Sequence, residues 1–139
     1  QMCIRDSYRP GETSFYASAN FKVFVQVDDE FTELESDESS IGYRMEPGED
    51  RAVFKTRALD LSVTKSLVIV SDGILDQKGG AKGLSLGRRR LLRLLQDAMV
   101  RDNGLPCLDG ERLMAAIEDY QGEEEQRDDM TLIVLSLPK

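Results

Sequence analysis

Two short apolar runs, Leu67-Val68-Ile69-Val70 and Leu132-Ile133-Val134-Leu135, constrain this chain more than any other feature. Each is an apolar run bounded by polar residues, the pattern of a buried strand, and the first reads as a central strand buried on both faces. Neither approaches the roughly 20 apolar residues of a membrane-spanning helix. A chain of 139 residues, 40% hydrophobic and 32% charged, is long enough to enclose two such strands in one domain.

Other segments read as the surroundings of these strands. From Ser14 onward, Phe15, Ala17, Ala19, Phe21, Val23, Val25 and Val27 share one parity, which predicts a half-buried strand. Asp28-Asp29-Glu30 turns it and Phe31-Thr32-Glu33-Leu34 returns as a hairpin partner. The segment from Asp28 to Asp50 carries ten acidic residues against one basic residue, Arg44, and reads as solvated surface and loop. Arg51 to Ser62 reads as a further strand region with Val53, Leu59 and Leu61 inward. Gln77 to Gly83 is a glycine-rich loop. One helix follows, with Leu91, Leu92, Leu94, Leu95, Ala98 and Met99 on one face and a stop at Asn103-Gly104. A second runs from a capping Asp109 to Tyr120, with Leu113, Met114 and Ile117 inward and Gly122 ending it. Met130 to Leu137 forms the last buried strand, closed by Pro138.

Composition narrows the chemistry. The chain has no histidine, which removes Ser-His-Asp and Cys-His nucleophile systems and histidine-bearing zinc sites. A net charge of −8 argues against nucleic acid as partner, because phosphate affinity rests on clustered Lys and Arg. It suits a bound cation. Cys3 and Cys107 form no CxxC pair, so a reducing, cytoplasmic compartment is expected. With no apolar span and no visible signal peptide, membrane contact from this segment is not expected.

Two short acidic motifs flank the apolar runs. Ser71-Asp72-Gly73 follows the first, and Arg127-Asp128-Asp129-Met130-Thr131 precedes the second. If the two strands are antiparallel neighbours, about 4.8 Å apart, Asp72 and Asp128 meet at one sheet edge. Two carboxylates held so close repel unless a hard divalent ion such as Mg²⁺ or Mn²⁺ shares their oxygens. The plain structural alternative is a strand-ending Asp-Gly turn and an Asp that satisfies loop amides.

At these residues the sequence resembles the PPM (protein phosphatase 2C-like) metal-dependent serine/threonine phosphatases, of the stage II sporulation protein E type. Ser71-Asp72-Gly73 is similar to that family's Thr/Ser-Asp-Gly motif. Asp76-Gln77-Lys78-Gly79-Gly80 with Gly87-Arg88-Arg89-Arg90-Leu91 resembles its loop and helix start, and Gln121-Gly122 through Gln126-Arg127-Asp128-Asp129-Met130-Thr131 its terminal signature. The resemblance implies an α+β fold, an antiparallel β-sandwich flanked by helices. It implies a two-metal centre of Mn²⁺ or Mg²⁺ in which Asp72 and Asp128 are ligands, acting on phosphoserine or phosphothreonine through metal-bound water. Asp129 and the backbone of Gly73 are weaker candidates at the same metal. The implied partner is a phosphorylated protein of the anti-sigma-factor antagonist kind, and a homodimer is compatible with it.

Several features depart from the family pattern. The upstream Asp-x-x-Gly-His-Gly segment, whose Asp bridges the metals, has no match here, so the domain is expected to be N-terminally truncated and inactive alone. Residues 1–13 read as non-native or irregular, and 14–139 as the C-terminal portion of the phosphatase domain. Arg88-Arg89-Arg90 reads as a solvated helix face, Asp76 as a turn or capping residue, and Cys107 as a half-buried connector residue. A phosphate-binding Gly-x-x-x-x-Gly-Lys-Ser/Thr is absent. The competing reading is a non-catalytic regulatory or scaffolding module that keeps the fold.

Overall fold

The computed structural model describes residues 14–18, 21–37, 54–102 and 105–137. Expectations for residues 1–13, Val53, most of the acidic segment, Asn103-Gly104 and Pro138 lie outside the described residues. The elements run β1 (Ser14–Tyr16), β2 (Lys22–Val27), β3 (Glu30–Glu33), β4 (Arg57–Leu59), β5 (Thr64–Val70), α1 (Asp72–Asp76), β6 (Lys78–Gly79) and β7 (Leu84–Ser85). They continue with α2 (Gly87–Asp97), β8 (Met99–Asp102), β9 (Leu105–Leu108), α3 (Gly110–Gln121) and β10 (Leu132–Ser136).

The two apolar runs are antiparallel neighbours. They form the β10–β5 pair of a four-stranded sheet ordered β10-β5-β2-β3, antiparallel throughout. Phe24, Val68 and Val134 stand opposite one another, as do Val23, Ile69 and Ile133. Because successive side chains alternate between faces, these two rows lie on opposite sides. The Phe24 row faces the helices: Phe24, Phe31, Val68 and Val70 share one buried cluster with Ile74 and Leu75 of α1, Leu91 and Leu95 of α2, and Leu113 and Ile117 of α3. The sheet's second face looks toward the short β1–β4 ladder, in which Ser14 pairs Leu59 and Tyr16 pairs Arg57. A cavity of about 60 Å³ between them is lined by Tyr16, Leu59, Leu61, Val23, Leu67 and Ile69. The result is an α+β fold, with antiparallel sheets and helices covering one face of the larger sheet.

One polar pair interrupts this sheet. Gln26 and Ser66 stand opposite each other and are buried, and Ser66 Oγ donates to Gln26 Oε1 at 2.7 Å while Gln26 Nε2 donates to the Asp28 carbonyl at 3.0 Å. Hydrogen bonds of this kind offset the cost of burying an amide. The β2–β3 turn has Asp28 at φ 54°, a left-handed conformation that Asp tolerates better than most residues.

Several sequence expectations need correction. The apolar parity from Phe15 to Val27 does not mark one strand: β1 pairs with β4, whereas β2 pairs with β3 and β5, and Ser18 Oγ donates to the Phe21 carbonyl (2.9 Å) between them. Nor is β2 half-buried. Phe24, on the opposite parity, is 0% exposed because helices cover that face. Of the strand region expected between Arg51 and Ser62, Arg57–Leu59 forms β4. The glycine-rich stretch is a small hairpin, β6 with β7. The first helix ends at Asp97, where the Ala98 N–H bonds the Leu94 carbonyl. Met99 then opens β8 and pairs with Leu108 of β9 instead of extending the helical face. β10 is at the edge of this sheet, where the β1–β4 ladder covers its second face less fully than at Val23 and Ile69, and Ile133 and Leu135 are 41% and 45% exposed rather than buried. The second helix is as expected, with Asp109 Oδ1 accepting from the Arg112 N–H at 3.0 Å and Gly122 ending it at φ 59°.

An ion pair fastens the smaller ladder. Arg57 donates to both carboxylate oxygens of Asp37, at 2.9 and 3.1 Å, and the Lys55 N–H adds a bond at 2.9 Å. These donors, Arg57 foremost, hold the Asp37 carboxyl down to about 2 from an ordinary 3.8. A depressed acid stabilises the fold above its unfolded value and loses that contribution as pH falls toward its folded value. Stability measured by denaturant between pH about 4 and about 2 is therefore expected to fall more steeply in the wild type than in Asp37→Asn. At the core, Phe24→Ala is expected to cost about 3–5 kcal/mol by the same measurement. Ile133→Thr, at a partly exposed position of β10, is expected to cost less, about 1 kcal/mol or under.

Candidate functional site

The β5–β10 register, Val70 opposite Leu132, delivers both acidic motifs to one end of the sheet. The ladder continues one step beyond the strands. The Ser71 N–H donates to the Thr131 carbonyl at 3.0 Å, and the Thr131 N–H donates to Ser71 Oγ at 2.9 Å. Ser71 Oγ in turn donates to the Asp129 carbonyl at 3.1 Å.

Ser71-Asp72-Gly73 is not a strand-ending turn. Ser71 is extended (φ −76°, ψ 161°) and α1 begins at Asp72. The helical form is favoured because Ile74 and Leu75, adjacent in sequence, both enter the core beside α2. Asp72 stays exposed in the first turn, its Oδ1 accepting from the Gly73 N–H at 3.0 Å. Gly73 is buried against the opposite segment. A Cβ there would lie 2.3 Å from the Asp129 carbonyl oxygen and 3.4 Å from the Asp128 carbonyl carbon, so no larger residue fits without moving that backbone.

Asp128 and Asp129 are exposed on the facing segment. Asp128 Oδ1 accepts from the Asp129 N–H at 2.7 Å, and the Asp128 carbonyl accepts from Gln126 Nε2 at 2.9 Å. The backbones carrying Asp72 and Asp128 are thus in contact, and both carboxylates face solvent at the same end of the sheet. Among the described residues no group of three or more acidic, cysteine or histidine side chains is placed to hold a metal ion by itself. Asp72 and Asp128 offer the hard oxygen donors that Mg²⁺ and Mn²⁺ take, so the donors fit in kind. A full shell of six needs further oxygens, from water or from outside these residues.

The remaining candidates divide clearly. Asp76 is the exposed last residue of α1. Within the arginine cluster, Arg88 lies 3.5 Å from Glu33, and Arg90 has a structural place. Arg90 donates to the Ser85 carbonyl (2.9 Å) and to the Tyr120 hydroxyl (2.8 Å), with its guanidinium 4.8 Å from the Tyr120 ring centroid. Gly79 and Gly80 serve close packing. A Cβ on Gly79 would sit 2.0 Å from the Tyr120 carbonyl oxygen, and the Gly80 N–H donates to that carbonyl at 2.7 Å. Cys107 is a half-buried thiol in β9.

Sequence reasoning missed Gln77. It is 1% exposed, and its Nε2 donates to the carbonyls of Lys78 (3.0 Å) and Glu125 (3.3 Å), tying the end of α1 to the segment that leads into Asp128. An isolated Gln in a glycine-rich stretch gives no periodic signal for burial.

The Gly73 contact has a direct consequence. Gly73→Ala is expected to displace the Asp128–Asp129 backbone and to destabilise the chain by about 1–3 kcal/mol in denaturant unfolding. Gly110→Ala has nothing within 4 Å of the added Cβ. It is expected to be neutral or to stabilise by up to about 1 kcal/mol.

The profile of the family Stage II sporulation protein E (SpoIIE) matches residues 9–138. A search of curated proteins gives no match. Among solved structures, the SiaA-PP2C domain of Pseudomonas aeruginosa is similar with a TM-score of 0.67 and 26% identity, over 91% of this chain and 46% of that one. A mutant form of a bacterial serine phosphatase is similar in fold, with a TM-score of 0.56 and 18% identity, over 99% of this chain and 53% of its own. The chain therefore spans about half the length of these structures. With the profile covering nearly all of its residues, and with a fold shared by phosphatase domains, the chain belongs to the Stage II sporulation protein E family.

Proposed function

We propose that this chain supplies one side of the metal centre of a protein serine/threonine phosphatase, with Asp72 and Asp128 as ligands to Mn²⁺ or Mg²⁺. The observation that carries the reading is the meeting of the two acidic motifs across the β5–β10 edge, in a chain of this family. Divalent cations bound there would supply a water nucleophile at neutral pH and charge to set against the phosphoryl oxygens. The chain's own part is to hold two carboxylates in place. Asp72 is fixed by the start of α1 and Asp128 by the bonds to Gln126 and the Asp129 N–H. Asp129 and the Gly73 backbone border the same space.

The substrate we infer is a phosphorylated regulatory protein, of the anti-sigma-factor antagonist kind, met in the cytoplasm. Among the described residues no helix is long and apolar enough to cross a membrane. The bridging ligand would come from a segment with the Asp-x-x-Gly-His-Gly pattern, so the chain alone is expected to bind metal weakly and turn over little. The non-catalytic module remains the alternative outcome of the test.

The test uses the full-length gene product with Mn²⁺ and a phosphoserine peptide. Asp72→Asn and Asp128→Asn are each expected to lower kcat by at least about 100-fold, beyond what loss of an outer-shell partner does. Arg89→Ala, on the exposed face of α2, is expected to leave kcat/KM unchanged. Wild-type rates in Asp72→Asn overturn the ligand assignment. No turnover by the wild type favours the non-catalytic reading.

A further inference from the structure

Ser71 occupies the N-cap position of α1, where a serine hydroxyl ordinarily accepts a backbone N–H from the helix's own first turn. Here it makes no such bond to its helix. The hydroxyl is directed across the sheet edge instead. It donates to the Asp129 carbonyl at 3.1 Å and accepts from the Thr131 N–H at 2.9 Å, and so brackets Met130 on the opposite segment. These bonds are long-range, 58 and 60 residues apart in sequence. A hydroxyl has one proton to donate, and this one is given to the segment that presents Asp128 and Asp129.

Gly73 meets the same carbonyl from the other side of Asp72, close enough that a Cβ would lie 2.3 Å from the Asp129 oxygen. Both neighbours of Asp72 therefore converge on one atom, the Asp129 carbonyl oxygen, Ser71 by a hydrogen bond and Gly73 by close packing. Asp72 is covalently next to the hydroxyl's residue, and Asp128 is one residue from the carbonyl it grips. The backbone on either side of Asp72 is thereby tied to the backbone next to Asp128.

We infer that Ser71 is a positioning residue, whose side-chain hydroxyl fixes the spacing of Asp72 and Asp128 toward a shared divalent cation. This role rests on the metal-ligand reading of the two aspartates. A group that orients ligands without touching the metal typically alters affinity or activity by about 10–100-fold. Threonine carries the same hydroxyl and is at ease in the extended conformation of Ser71. Valine has threonine's shape without the hydroxyl, so the pair separates the hydrogen bonds from the packing.

The experiment compares Ser71→Thr, Ser71→Val and Ser71→Ala in the full-length gene product, with Asp72→Asn and Asp128→Asn alongside. Two quantities are read: the Mn²⁺ dissociation constant, from the electron paramagnetic resonance of free Mn²⁺, and hydrogen exchange at the Thr131 amide. Ser71→Val and Ser71→Ala are expected to weaken Mn²⁺ binding by about 10–100-fold and to speed Thr131 exchange, while Ser71→Thr restores both. The two aspartate variants are expected to weaken Mn²⁺ binding while Thr131 stays protected. Equal Mn²⁺ affinity in Ser71→Val and Ser71→Thr overturns the positioning role even if the aspartate variants lose the metal. Unchanged affinity in Asp72→Asn and Asp128→Asn overturns the ligand reading itself, a separate failure that Thr131 exchange does not report.

Discussion

The antiparallel pairing of β5 with β10 is the interaction on which the rest depends. Side chains alternate along a strand, so a slip of one residue would exchange Leu132 and Val134, packed on the helix-side core, with the exposed Ile133 and Leu135. The same slip would move Asp128 and Asp129 by one position along Ser71 and Gly73. The hydrophobic register and the polar site are thus one constraint expressed twice. Burial of Val68 and Val70 under the helices fixes which residues of β10 can face them, and that choice decides where the acidic segment begins.

The segment carrying Asp128 is then held at three points along its length. At its start, the Tyr120 carbonyl at the end of α3 accepts from Gly80 and sits against Gly79. In its middle, the buried amide of Gln77 reaches the Glu125 carbonyl. At its end, Ser71 and Gly73 close on the Asp129 carbonyl. Each anchor pairs a backbone carbonyl of this segment with a residue between β5 and α2. Two of the three involve a glycine whose lack of a side chain permits the approach. A loop otherwise rich in exposed Glu and Asp gains a defined path without a hydrophobic core of its own.

Some of this could be read from the residues alone. The run from Leu67 to Val70 has the composition of a strand covered on both sides, and the capping Asp109 with Gly122 marks a helix with ordinary local rules. The arrival of the two acidic motifs at one end of the sheet followed from one assumption, antiparallel adjacency, which the fold satisfies. What was not legible depended on distant partners. Phe24 lies off the apolar parity of its strand, and its burial comes from helices that begin about 50 residues later. Met99 fits the helical face by spacing, yet pairing with Leu108 draws it into a hairpin. Exposure of Ile133 and Leu135 reflects the strand's place at the sheet edge, which no local pattern encodes. Ser71, Gly73 and Gln77 show as polar or small residues, and their work lies in contacts 48 to 60 residues away.

The position of β10 at the edge places the site on a strand with one ladder partner. Within the sheet, β10 has β5 as its ladder partner, whereas β5 and β2 are bounded on both sides. Edge strands open more readily than central ones, because fewer backbone bonds and less buried area hold them. Opening β10 would carry Asp128 away from Asp72 and withdraw Met130, Leu132 and Val134 from the edge of the core cluster. The contacts of Ser71 and Gly73 act against that motion, at the end of the strand where the acidic residues lie. Under the proposed reading, their value falls on the geometry of the two carboxylates as well as on stability. A side chain can matter little to the core of this fold and still decide whether its two acidic motifs stay together.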